Sequence, residues 1–283
     1  MANESMRQTW ATGADGWVRN ERIFDAALAP FTDAIVGAAD LASASRVLDV
    51  GCGAGTLVEA AVAAGATDVV GIDISPAMVA AAMRRNPAAT IVEADAQTAD
   101  LAAVAPGGAP FDRVISRFGV MFFADPVAAF ANLCSACAPG ARLAVVCWRA
   151  DERDMFVAGI EPLLRRAASA PPPFTPGAPG PLGLGDPDTI RAVVSGAGWQ
   201  DLGIDAVDGD CCYSLDGSDG VEERIAILTS GSVGRALVED VVATHGPDAV
   251  DEALDEIRAE LRQRFAGDPV RLTGHTWLVT ATA

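Results

Sequence analysis

The chain has 283 residues, 51% of them hydrophobic, and a formal net charge of −18. That apolar share is enough for the core of one large α/β domain, or of one domain with an appendage. The acidic excess opposes a nucleic-acid partner, because the arginines are scattered and form no basic stripe along a phosphate backbone.

All 20 basic side chains are arginine. The absence of lysine excludes a Schiff-base enzyme, a Walker-type ATPase and a lysine general base. The single tyrosine, Tyr213, cannot form the tyrosine–lysine pair of short-chain dehydrogenases. Residues 1–10 carry Glu4 and Arg7 and no apolar run, so no signal peptide is expected. The longest uncharged stretch, residues 167–185, is broken by proline and glycine and cannot cross a bilayer as a helix. The expectation is a cytoplasmic protein without membrane association. In that setting the six cysteines are not expected to form disulfides. Cys134 and Cys137 make a C-x-x-C inside a segment, residues 126–138, that reads as a helix, where the spacing puts two small apolar groups on one face. No metal site is expected.

In chain order, residues 21–39 read as an amphipathic helix interrupted at Pro30, and residues 46–50 as a short strand. A helix over 56–64 ends at Gly65, a second strand covers 68–73, and a helix over 76–85 has proline in its first turn. Further strands are expected at 90–93, 111–116 and 142–148. This alternation predicts a parallel sheet covered on both faces. After Trp148 come a helical piece at 155–168 and an aperiodic proline- and glycine-rich loop around Phe174, of the kind that forms lids. A helix at 187–195, a strand within 201–213, acidic helices over 221–265 and a last strand through 276–280 complete the chain.

The chemistry sits on VLDVGCGAGTL, where Asp49 ends a strand and Gly51, Gly53 and Gly55 lead into a helix. Glycines allow a sharp turn and close backbone approach, and the helix start offers free N–H donors. A dinucleotide fingerprint requires G-x-G-x-x-G, yet the position for its third glycine is Thr56. The acid two residues before Gly51 is awkward beside a pyrophosphate and useful beside an ammonium group. Asp73 ends the second strand, where a carboxylate can accept ribose hydroxyls. Asp95 follows the third strand in EADAQ, placed for an adenine amino group.

With VVGIDIS, FDRVISRFGVMFFADP and APGARLAVVCW, these segments resemble the successive motifs of class I S-adenosylmethionine-dependent methyltransferases, most of all the UbiE-like, type-11 branch. The likeness covers residues 46–148, with a looser likeness at TWATGADGW and TWLVTATA. It implies a Rossmann-like three-layer sandwich with a seven-stranded, mostly parallel sheet, an antiparallel last strand and a helical cap or lid. It also implies cofactor contacts by Gly51, Gly53, Asp73 with Ile74, and Asp95 with Ala96, and by the backbone around Arg117. Asp49 and Trp10 join that set.

The expected organisation is a helical cap over 1–44, a cofactor-binding core over 45–150, a substrate-side lid with added strand and helices over 151–274, and a last strand over 275–283. Trp17, Phe118, Met121, Phe122 and Trp148 are expected to line an acceptor pocket, which suits a small apolar or aromatic molecule. His275, opening the last strand on the ligand edge, is the candidate general base. Residues 147–266 depart most from the shared core, so the acceptor and the methylated atom stay open. The alternatives are a protein that binds S-adenosylmethionine without methyl transfer and, more remotely, a nicotinamide-dependent oxidoreductase.

Overall fold

The computed structural model describes residues 3–104, 108, 110–150 and 154–283. Strands β1 (Arg46–Val50) and β2 (Asp68–Asp73) are buried along nearly their whole length, as parallel strands covered on both faces must be. With β3 (Thr90–Glu93), β4 (Phe111–Arg117), β5 (Cys137–Trp148), β6 (Gln200–Cys212) and β7 (Arg271–Thr282) they form one seven-stranded sheet. Its order is β3-β2-β1-β4-β5-β7-β6. Strands β1 to β5 pair in parallel, and β7 runs antiparallel between β5 and β6. Being antiparallel to β7, β6 runs in the direction of β5. The C-terminal ends of β1 through β6 therefore share one edge, where open α/β sheets bind ligands.

The helices around this sheet start by a repeated device. Ser75, Asp125 and Asp186 each cap a helix and are each followed by proline: α5 (Pro76–Arg85), α7 (Pro126–Ser135) and α10 (Pro187–Gly196). The side chain satisfies an orphan N–H, and proline's fixed φ suits the first turn. Helix α4 (Thr56–Ala63) has no such cap: its N-cap is Gly55, at φ +90°. Its first N–H groups consequently face the ligand edge.

Helices α1 (Glu4–Arg19), α2 (Glu21–Ala27) and α3 (Ala29–Ala39) precede the sheet. The break expected at Pro30 falls at Leu28, because proline sits in the first turn of α3. α6 (Leu101–Val104) follows β3. The helical piece expected at 155–168 is two short helices, α8 (Asp154–Val157) and α9 (Glu161–Arg166), separated by Gly159 at φ +86°. Helices α11 (Val221–Ser230), α12 (Ser232–His245) and α13 (Pro247–Phe265) pack on one another and α12 and α13 on α9. α13 buries Val250, Ala253, Ile257 and Leu261, a one-sided apolar stripe.

Two expectations need correction. Cys134 lies in α7 but Cys137 begins β5, so the C-x-x-C straddles a helix end and its cysteines share no helix face. Strand β7 begins at Arg271, so His275 is inside the strand and does not open it. Pairing with the long β6 extends β7 beyond its apolar segment.

Candidate functional site

At the shared edge lies a cavity of about 710 Å³. Its wall includes Asp49, Gly51, Gly53, Asp73, Ile74, Asp95, Ala96 and Arg117, with Trp10 from α1. Trp17, Phe118, Met121, Phe122 and Trp148 line the same space. The fold thus gathers both predicted sets of residues, cofactor and acceptor, around one opening.

The turn after β1 is held by Ile72, whose carbonyl accepts from the Gly51 and Cys52 amides at 2.8 and 3.0 Å. Gly51 has φ +66°, and a Cβ there would stand 2.8 Å from the Gly119 Cα. Gly53 has φ +54° with nothing within 4 Å of a would-be Cβ, so the backbone there is open to a ligand. Its amide donates to Asp73 Oδ2 at 3.0 Å, and Ser75 N donates to Asp73 Oδ1 at 2.8 Å. Desolvation raises the Asp73 carboxyl above its ordinary pKa, the two amides opposing.

Asp49 differs from Asp73. It is 1% exposed, and neither carboxylate oxygen has a hydrogen-bond partner. Burial pushes its pKa up to about 8 from an ordinary 3.8, with Arg117 opposing and Asp73 adding. Arg117 donates from Nη1 to Thr32 Oγ1 at 2.8 Å and from Nη2 to Thr56 Oγ1 at 3.2 Å, with Asp25 at 3.6 Å. That engagement on the helical side leaves Asp49 without a bonded counter-ion.

Asp95 is already engaged: its Oδ1 accepts from Gln97 N at 3.0 Å and from Asn3 Nδ2 at 2.8 Å. Asn3 also accepts from Ala124 N at 2.8 Å, and Arg7 reaches the Ile74 carbonyl at 3.3 Å. The start of α1 is therefore tied to the loops after β2, β3 and β4, bringing Trp10 to the cavity. Asn3 and Arg7 carry no motif that would have singled them out.

The opposite part of the wall is aromatic. Phe118 stacks on Trp148 with ring centroids 4.0 Å apart, and Trp148 meets Phe156 edge-on at 5.3 Å. Phe122 meets Trp10 at 5.5 Å. Phe174, from the proline-rich loop, packs on Phe156 at 6.0 Å. Tyr213 and Arg224 also line the cavity and are 1% and 2% exposed. Neither stood out as a site residue in the sequence, although Arg224 interrupts the buried stripe of Val221, Ile225 and Leu228, a signal that could have found it. His275 stands apart: it is not among the cavity-lining residues, and its Nδ1 lies 2.8 Å from Asp208 Oδ1 on β6.

Residues 47–140 match the family model described as a methyltransferase domain. The match spans β1 to the start of β5, and the sheet order is that of a Rossmann-like methyltransferase fold. The match distinguishes no branch among methyltransferases. Uncharacterised proteins of Mycobacterium tuberculosis and Mycobacterium bovis are 34% identical over 146 residues, 50% of this chain and 49% of theirs. The chain spans about half the length of these curated relatives. Among solved structures it is similar to the YcgJ protein of Bacillus subtilis, with a TM-score of 0.53 at 16% identity, covering 88% of this chain and 97% of that one. It is also similar to phosphoethanolamine N-methyltransferase 2 of Haemonchus contortus in complex with S-adenosyl-L-methionine. There the TM-score is 0.53 at 16% identity, covering 100% of this chain and 60% of that one. At such identities the likeness is one of fold.

Proposed function

We propose that the chain is an S-adenosylmethionine-dependent methyltransferase acting on a small molecule with an apolar or aromatic body. The observation that carries this reading is Asp49, a buried carboxylate with both oxygens unpaired on the wall of the cavity that receives the glycine turn. A buried anion of this kind is costly unless a cation meets it. The ammonium group of S-adenosylmethionine is such a cation. A pyrophosphate at the same turn would instead face the Asp49 carboxylate, which disfavours a nicotinamide cofactor.

In this reading Asp73, whose oxygens keep lone pairs beyond the two amide bonds, receives the ribose hydroxyls. Ile74, Asp95 and Ala96 border the adenine, Gly51, Gly53 and the backbone at Arg117 border the methionine end, and Trp10 closes over the site. When bound, the cofactor supplies a methyl group already activated by its sulfonium. The chain's own task is to exclude water and to hold the acceptor in line. Trp17, Phe118, Met121, Phe122 and Trp148 offer flat apolar faces for that purpose. His275, paired with Asp208 away from the cavity wall, has no part in this proposal.

Calorimetry tests the reading. S-adenosylmethionine should bind, and Asp73→Ala should weaken it by about tenfold or more, the usual effect of losing a charge-assisted hydrogen bond. A metabolite extract should then stimulate release of S-adenosylhomocysteine. Binding without such release would favour a non-transferring use of the cofactor. Binding of NADH with no response to S-adenosylmethionine would overturn the proposal.

A further inference from the structure

Among the described residues, Asp49 and Arg224 are the charged side chains in the buried class, and both line the cavity. Asp49 has a role in the proposed cofactor site. Arg224 does not. Its Nε and Nη2 donate to the Ala158 carbonyl at 3.3 and 2.9 Å, and its Nη1 donates to the Tyr213 hydroxyl at 3.3 Å. The guanidinium carbon lies 5.3 Å from the centroid of the Tyr213 ring. These partners are neutral. No acid among the described residues forms an ion pair with Arg224, in a chain where 38 acidic residues outnumber 20 basic ones and Arg85, Arg117, Arg166 and Arg258 all have carboxylate partners.

We infer that Arg224 and Tyr213 form an anion subsite that selects an acceptor carrying a carboxylate on its apolar body. A guanidinium has five N–H donors. The three bonds here use one from each nitrogen, which leaves one on Nη1 and one on Nη2 to donate to a carboxylate. The Tyr213 oxygen accepts from Arg224, so its own proton is available to the same anion. A buried arginine facing only a carbonyl and a phenol holds an uncompensated charge, and a ligand carboxylate would neutralise it.

The location fits the acceptor. Tyr213 directly follows β6, the edge strand, and β4, β5 and β7 stand between β6 and β1. At roughly 4.8 Å per strand spacing, the subsite lies on the order of 20 Å along the sheet from the Asp49 turn. The aromatic wall runs between them: Trp148 meets Phe156, and Ala158, two residues on, supplies the carbonyl that holds Arg224. The cofactor occupies the Asp49 end of that span, and an acceptor with a flat apolar body and one carboxylate end would lie along the aromatic wall between the cofactor and Arg224.

This inference rests on the methyltransferase reading for the identity of the cofactor. The test titrates the protein loaded with S-adenosylhomocysteine with benzoate, 4-hydroxybenzoate and 4-hydroxycinnamate, and with their methyl esters. At least one acid should bind about tenfold or more tightly than its ester. Arg224→Gln and the shape-conserving Tyr213→Phe should each reduce that preference while S-adenosylhomocysteine affinity is unchanged. Tyr213→Phe keeps the question answerable if Arg224→Gln fails to fold. Equal affinity for acids and esters, no binding by any acid, or a preference untouched by Tyr213→Phe and by any folded Arg224 variant overturns the inference. So does a folded Arg224→Gln protein that loses S-adenosylhomocysteine instead, since the arginine then belongs to the cofactor. Failure of the wild-type protein to bind S-adenosylhomocysteine at all would sink the methyltransferase reading with it.

Discussion

Phe118 lies flat on Trp148, with ring planes within 9° and centroids 4.0 Å apart, although its own backbone is left-handed at φ +66°. An L-residue with a side chain in that region is strained by about 1–2 kcal/mol. Strain of this kind persists where surrounding structure enforces it, and here the Phe118 amide is fixed to the Val146 carbonyl at 3.1 Å. The stack stands on the cavity wall next to the glycine turn, so the strain is located where an acceptor would be oriented.

The first prediction follows from that stack. Phe118→Leu keeps apolar volume but removes the flat face, and should lower kcat several-fold while leaving S-adenosylmethionine affinity within about twofold. The stability cost should stay near 1–2 kcal/mol, as for volume-conserving core changes. Steady-state kinetics beside calorimetry would decide. Equal losses in turnover and cofactor affinity would mark Phe118 as packing alone.

The second concerns pH. Asp49 titrates at about 8 in the folded chain against an ordinary 3.8, so between those values the folded state holds a proton that the unfolded state has released. Stability of the ligand-free protein should therefore fall as pH rises from about 4 towards 8, by at most ~1.4 kcal/mol per unit from this group. Desolvated Asp73, also raised, acts in the same direction. Binding a cation beside Asp49 requires the charged form, so S-adenosylmethionine affinity should increase over the same interval. A proton should be released on binding at pH 7. Calorimetry in buffers of different ionisation enthalpy measures that proton, and Asp49→Asn should abolish its release.

The third contrasts two glycines. Gly53→Ala meets nothing within 4 Å but imposes φ +54° on alanine, so its stability cost should be only about 1–2 kcal/mol. The new methyl points into open space at the turn, and cofactor affinity should drop by about tenfold or more. Gly51→Ala brings a Cβ to 2.8 Å from the Gly119 Cα and should be destabilising even without ligand. Thermal unfolding with and without S-adenosylmethionine would separate the two effects.

The fourth concerns the proline-rich loop. Its later part is pinned: Gly180 N donates to the Met121 carbonyl at 3.1 Å, Trp277 Nε1 donates to the Gly185 carbonyl at 3.0 Å, and Leu182 and Leu184 are buried. In the earlier part, the Phe174 and Thr175 amides have no hydrogen-bond acceptor among the described residues. Amide exchange should be fast at Phe174 and Thr175, slow at Gly180, and slower at Phe174 once ligands fill the cavity. Exchange at Phe174 as slow as at Leu48, with and without ligand, would refute a moving cover.

What could be read from the sequence alone was the part of the site that is local in the chain. Asp49, the glycines after it and Asp73 belong to short strand–turn–helix units. There, apolar runs fix the strands, glycine supplies the turn, and parallel topology sends every strand end to one edge. The seven-stranded sheet and its antiparallel last strand came through resemblance, since the motifs that carry it are contiguous, whereas the strand order was decided by the tertiary structure. Contacts between distant segments had no such signal. Asn3 meets Asp95 across 92 residues, and Arg224 finds Tyr213 only because β6 ends at the shared edge with α11 beside it. His275 shows the same limit in reverse. Its strand was foreseen, but pairing with β6 placed the imidazole against Asp208. Alternation along a strand tells which residues share a face, whereas the direction each face looks is decided by its neighbours, and those are chosen by tertiary packing.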